Sequence, residues 1–174
     1  MEKFYKIFRK KFFSKKGEHE GSPLHHNDTF PIITISREMG SGGKSTANLI
    51  ASYLGKPWKV YDHELIDKIA KDKVLEEELI NSIDPKRLPL ADIVTAKTFG
   101  KRFTHLSGYQ RHLIKVMTLA GLKGYAIILG RGGNFLFSHA LNIRMICQFD
   151  QRIIWQMTYE HISRPEAIKR IEES

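Results

Sequence analysis

The stretch "SREMGSGGKSTANLI", residues 36–50, constrains this chain more than any other, because it sets three glycines, a lysine and the paired hydroxyls of Ser45 and Thr46 at the start of a helical pattern. Before it, "IITIS" at Ile32 to Ser36 is short, β-branched and preceded by Pro31, as a buried strand is. After it, Ala47, Ile50, Ala51 and Leu54 recur at helical spacing until Gly55 and Pro57 end the run. A strand, a glycine loop and a helix in that order can hold a phosphate, since backbone N–H groups then meet the anion at a helix N-terminus whose dipole favours negative charge. Gly40, Gly42 and Gly43 permit the required φ angles, and Ser41 lies among them. Lys44 then reaches the β- and γ-phosphates, the Ser45 hydroxyl ligates Mg²⁺, and Thr46 adds a donor in the first turn. One residue departs from the pattern: Glu38 stands five positions before Gly43, where a glycine is usual. It must point away from an anion, toward Arg37 or another cation. The alternative is a glycine-rich turn with a solvated lysine, and the flanking strand and helix argue against it.

The alternation continues along the chain. "WKVY" at Trp58 to Tyr61 is a short strand followed by a helix through Leu65, Ile66 and Ile69. Val74 to Ile80 reads as helical, and Pro85, Pro89 and Gly100 punctuate the stretch after it. A firm helix carries Leu113, Val116, Met117 and Ala120, and closes near Gly121 and Gly124. "AIIL" at Ala126 to Leu129 and "RMICQF" at Arg144 to Phe149 are two further buried strands, and Arg152 to His161 is helical. "SRPE" at Ser163 to Glu166 has the form of a capping box that starts a last helix. Strands alternating with helices predict an α/β fold with a mostly parallel sheet covered on both faces.

The formal charge of +9 suggests nucleic acid until it is divided. Residues 1–16 supply +6 and residues 17–30 supply −3, which leaves +6 for the other 144 residues. The body is moderately basic, as suits a binder of phosphorylated small molecules, and no specific nucleic acid is expected. Residues 1–30 therefore read as a basic tail and polar linker, and residues 31–174 as the folded domain. Within the tail, Phe4, Ile7, Phe8 and Phe12 line one side of a helix among lysines, which suits either a solvated tail or weak contact with an anionic membrane. Cys147, the lone cysteine, sits in an apolar run and reads as a reduced core thiol; with no secretion signal or membrane-spanning run, the expected location is cytoplasmic.

Two more groups carry chemistry. In "ILGRGGN", Arg131 follows a buried strand, and ligands of open α/β sheets bind outside the carboxyl ends of the strands. Its guanidinium either grips a phosphate in two-pronged fashion or only occupies a tight turn. In "VYDHELI", Asp62 likewise ends a strand, and is either a ligand-facing acid or an ordinary helix N-cap.

With these groups in order, the chain resembles the cytidylate kinase-like family of P-loop nucleoside monophosphate kinases. "ITISREMGSGGKST", "YDHELI", "IILGRGGNFLF" and "IRMICQFDQRI" look like its successive motifs, over residues 31–174. The resemblance implies a three-layer P-loop NTPase fold, and makes Arg37 and Glu38 usual features of this branch. It implies ATP and Mg²⁺ as cofactors and a nucleoside monophosphate acceptor, CMP or dCMP favoured. It implies that Gly40 to Thr46 hold the ATP phosphates, that Arg37, Asp62 and Arg131 contact the acceptor, and that Lys44 and Arg131 serve catalysis. Better-known cytidylate kinases carry Asp after the Gly-Arg pair where this chain has Gly132, so pyrimidine contacts do not transfer. The family continues past a helix like "SRPEAIKRIEES" with an Asp/Arg-rich lid, a strand and a helix, so at Ser174 a fold without that C-terminal part is expected. Two functions remain open at this point: a nucleoside monophosphate kinase, or a catalytically weak nucleotide-binding or regulatory module.

Overall fold

The computed structural model describes residues 31–130 and 132–174; the expected amphipathic tail and linker, and Arg131, lie outside the described residues. The β-branched runs form four strands, β1 (Ile32–Arg37), β2 (Lys59–Tyr61), β3 (Ala126–Leu129) and β4 (Leu141–Met145), paired in the order β2-β3-β1-β4. Every pairing is parallel. Between and after the strands run α1 (Gly43–Leu54), α2 (His63–Lys71), α3 (Lys73–Asn81), α4 (Leu90–Phe99), α5 (Gly108–Lys123), α6 (Gly133–Leu136), α7 (Phe149–Glu160) and α8 (Arg164–Glu172). Short 3₁₀ turns at Pro85–Arg87 and Gly100–His105 bracket α4. This is the expected three-layer α/β architecture.

β1 lies at the centre because its alternate side chains serve both layers. Ile33 and Ile35 join Ile127 and Leu129 of β3 and Ala47 of α1 in one core. Ile32, with Ala126 and Ile128, faces the other core, built from α2 to α6 and including Val116, Leu119 and Phe137. Burial of each large apolar side chain stabilises by about 1.5–3 kcal/mol. A polar group in this core is satisfied: the Thr34 hydroxyl donates to Asn142 Oδ1 across the β1–β4 pairing. α7 and α8 pack on each other through Ile153, Ala167 and Ile171, a separate small cluster.

Several expectations need correction. The last strand is Leu141–Met145, three residues earlier than "RMICQF" suggested, because Leu141, Ile143 and Met145 pair with β1 and pack toward α1. Past Met145 the chain leaves the ladder, so Ile146 is exposed and Phe149 already begins α7. Cys147 is thus half-buried beyond the strand rather than a core thiol. Ser163 holds the N-cap backbone position of α8 but makes no side-chain cap bond, so "SRPE" is no capping box. The capping box is at Ser107 and Gln110, where "SGYQ" opens α5. The stretch punctuated by Pro85, Pro89 and Gly100 contains α4 and both 3₁₀ turns.

One glycine of α5 is dictated by packing. A Cβ on Gly121 would sit 2.2 Å from Cζ of Phe137, whose ring is fully buried. Alanine normally favours a helix over glycine by roughly 0.5–1 kcal/mol. Here overpacking outweighs that gain, at about 1–3 kcal/mol. Gly121→Ala is therefore expected to lower the melting temperature by several degrees in a thermal scan. An unchanged or raised value would contradict the tight contact with Phe137.

Candidate functional site

The glycine loop is a close-packed turn at the carboxyl end of β1. Ser41 folds it by donating from both its N–H, at 3.2 Å, and its hydroxyl, at 2.8 Å, to the Glu38 carbonyl. Gly40 and Gly42 both have φ +76°, a conformation open to glycine at little cost. Steric limits reinforce this. A Cβ on Gly40 would lie 2.7 Å from the Arg152 carbonyl oxygen, one on Gly42 2.7 Å from the Trp155 ring, and one on Gly43 2.9 Å from Arg37 Cγ.

The loop delivers the chain into α1 with its N-terminus open. Asp62, Asp72 and Ser107 cap α2, α3 and α5 with side-chain oxygens, whereas Gly42, the N-cap of α1, has no side chain with which to do so. No acidic residue stands in the first turn of α1 either. The N–H groups of that turn and the positive end of the helix dipole thus face the loop without an internal anion.

Glu38 does not oppose an anion there. Its backbone N–H donates to the Met145 carbonyl, its Oε2 accepts from the Cys147 N–H at 3.2 Å, and the same oxygen lies 3.6 Å from Arg152 Nη1. The carboxylate is turned to the β4–α7 connection, and its cation is Arg152, not Arg37. Arg152 in turn donates from Nε to the Met39 carbonyl at 2.6 Å, so one guanidinium ties α7 to the glycine loop.

Lys44 reaches across to the end of β2. Its Nζ lies 2.8 Å from Glu64 Oε2 and 3.1 Å from Asp62 Oδ2. The Glu64 carboxylate, then Asp62, raises the Lys44 pKa above its ordinary value. Asp62 is also the N-cap of α2: one carboxylate oxygen accepts from the Leu65 N–H at 2.9 Å while the other faces Lys44, so the N-cap reading of this residue holds. Desolvation pushes the Asp62 carboxyl upward, but the Leu65 N–H and Lys44 outweigh it and its pKa ends below the usual value. Both partners are charged at neutral pH. The pair is complete above the ordinary carboxylate range and is lost as pH falls through the depressed Asp62 value.

A cavity of about 640 Å³ opens on the α7 side of the loop, within the size range of small-molecule sites. Gly40 to Ser45 form one wall, and the cations Arg37, Lys44, Arg144 and Arg152 outnumber the acids Glu38 and Glu160 around it. Of the residues expected at the site, Arg37 and the loop share this cavity, while Asp62 joins through Lys44. Thr46 lies in the first turn of α1, its N–H donating to the Gly42 carbonyl. Arg131 is outside the described residues; its neighbours Gly130 and Gly132 stand between β3 and α6, with the Gly130 N–H bonded to the Ile35 carbonyl. Sequence reasoning missed Arg144 and the α7 residues Arg152, Trp155 and Tyr159, all of which line the cavity. The spacing of the last three at i, i+3 and i+7 was the available signal, since it puts them on one helix face.

Among the described residues no group of three or more His, Cys, Asp or Glu side chains is placed to hold a metal ion, and no helix is long and apolar enough to cross a membrane. A metal at the loop would draw on Ser45 and on phosphate oxygens.

The geometry agrees with what comparison with known proteins finds. The model of the cytidylate kinase-like family matches residues 32–174. No match was found among curated proteins. Among solved structures, an uncharacterized protein from Eubacterium ventriosum is similar at 18% identity and a TM-score of 0.49, over 82% of this chain and 70% of that one. TT1252 from Thermus thermophilus is similar at 19% identity and a TM-score of 0.47, over 83% of this chain and 80% of that one. By the family match, which spans the whole of the described fold, this chain belongs to the cytidylate kinase-like family.

Proposed function

We propose that the protein is a nucleoside monophosphate kinase that transfers the γ-phosphoryl group of ATP, with Mg²⁺, to a (deoxy)cytidine monophosphate. The observation that carries this reading is the N-terminus of α1, which has no side-chain cap, begins in glycines and carries Lys44 in its first turn, opening into a cation-lined cavity. Family membership points to the same chemistry.

In this reading the residues act by position and charge, the main resources of phosphoryl transfer. An acceptor phosphate oxygen bonds to the γ-phosphorus as the bond to the β–γ bridging oxygen breaks, and ADP leaves with that electron pair. The backbone of Gly40 to Thr46 binds the β- and γ-phosphates, and Lys44 leaves its two carboxylates to meet them. Ser45 supplies the protein's ligand to Mg²⁺, which when bound neutralises phosphate charge. Arg37 adds positive charge within the cavity, and Arg131 clamps the acceptor phosphate at the end of β3. Asp62, held as an N-cap, remains in place after Lys44 departs and faces the acceptor.

A coupled ADP-release assay with Mg·ATP and a panel of CMP, dCMP, UMP and AMP tests this reading. CMP and dCMP are expected to give the highest rates. ATP binding with no acceptor-dependent ADP release would instead make the protein a nucleotide-binding module.

Two substitutions separate the roles of the loop residues. Lys44→Ala is expected to lower transfer by roughly 100- to 1000-fold, the scale for one electrostatic stabiliser, and to leave the melting temperature unchanged because the side chain is exposed. Transfer near the wild-type rate would remove Lys44 from catalysis. Glu64→Gln removes one of the two carboxylates that compete with phosphate for Lys44. Calorimetric titration should then show Mg·ATP binding tighter by up to roughly fivefold, in keeping with an exposed ion pair. Weaker binding would mean that Glu64 helps to hold the ligand.

A further inference from the structure

α7 presents to the glycine loop an aromatic pair that no apolar core among the described residues uses. Trp155 and Tyr159 stand one helical turn apart, with ring centroids 5.4 Å apart and planes inclined at 49°. Both line the cavity that the loop opens into. The opposite side of α7 supplies Ile153 to the cluster with Ala167 and Ile171, and neither aromatic ring belongs to that cluster or to the two larger ones. Tyr159 is 64% exposed. Apolar ring surface left beside an anion-binding loop has a chemical use, because the π-face of any nucleobase stacks on it.

The placement fits a nucleotide whose phosphates occupy the loop. The Trp155 ring edge lies against Gly42, where an added Cβ would be 2.7 Å from Cζ3, so the pair begins at the loop and runs outward along α7. One turn of helix, about 5.4 Å, carries the surface from Trp155 beside the loop to the more exposed Tyr159. Arg152, one turn earlier, is anchored to the Met39 carbonyl and to Glu38, which fixes α7 relative to the loop before any ligand arrives. A surface held in this way loses little freedom on binding.

Resting on the reading of Gly40 to Thr46 as a triphosphate site, we propose that Trp155 and Tyr159 are the platform on which the base of the bound nucleoside triphosphate stacks. The loop then recognises the phosphates and α7 the base. The two contributions separate when a ligand lacks the base.

The test compares ATP with inorganic tripolyphosphate, each with Mg²⁺, by calorimetric titration of the full chain. Wild type is expected to bind ATP more tightly than tripolyphosphate. W155A and Y159A should weaken ATP binding by roughly 5- to 150-fold, the scale of one base–aromatic stack, and leave tripolyphosphate binding unchanged. W155F, which keeps an aromatic face, should retain most of the affinity for ATP. The fluorescence that wild type has and W155F lacks reports Trp155, and should be quenched by ATP but not by tripolyphosphate. Equal wild-type affinity for the two ligands, or equal weakening of both in W155A and Y159A, would overturn the platform while leaving the loop reading intact. Failure of both ligands to bind wild type would overturn the loop reading and the platform with it.

Discussion

The site depends on one steric constraint: the backbone of residues 40–43 is pressed between the end of β1 and α7 with no room for side-chain atoms at three of its four positions. The neighbours of Gly40, Gly42 and Gly43 are a backbone carbonyl, an indole ring and the stem of an arginine. Substitution there would displace α7 or unfold the turn, and either would move the open end of α1. The same close approach brings Arg152 within bonding distance of the loop carbonyl at Met39. Packing and the open helix end are thus one feature, since glycines that let α7 approach also leave the helix N-terminus without a side-chain cap.

Charge at the site is arranged in two groups. On one side of the loop Lys44 is held by Asp62 and Glu64, so its charge is compensated and its side chain directed. On the other, Arg37, Arg144 and Arg152 face the cavity with Glu38 and Glu160 as the lining acids. Glu38 is already committed to the Cys147 N–H and to Arg152, which is how a carboxylate occupies the usual place of a glycine in such a loop without repelling an anion. Its work is to join the ends of β1 and β4 to α7. In the proposed function, a phosphate would meet excess positive charge on one side and, on the other, a lysine that exchanges its carboxylate partners for it.

Local pattern carried most of the fold. The strands β1 and β3 are short, β-branched and largely buried, so their sequence has one reading. The α1 helix was legible from its apolar spacing and the glycine that ends it. β4 was harder because it alternates between half-buried and exposed positions, while the apolar residues just after it mimic a strand that tertiary pairing does not support. "SRPE" and "SGYQ" both fit the capping-box pattern, and only the second forms the reciprocal bonds. The glycine loop, Lys44 and Asp62 were legible because their chemistry is written in consecutive residues. The partnership of Glu38 with Arg152 and the approach of Trp155 to Gly42 join residues over a hundred positions apart, and no local pattern encodes them.

The central claim is that an anion binds the backbone at the start of α1, and the most direct measurement of it is the amide spectrum of the isotopically labelled full chain titrated with Mg·ATP. The N–H resonances of Gly40 to Thr46 should shift most, with those of Trp155 and Tyr159 following, while amides in the middle of α5, buried on the far side of the sheet, stay in place. Saturable shifts centred elsewhere, with residues 40–46 unmoved, would contradict the account.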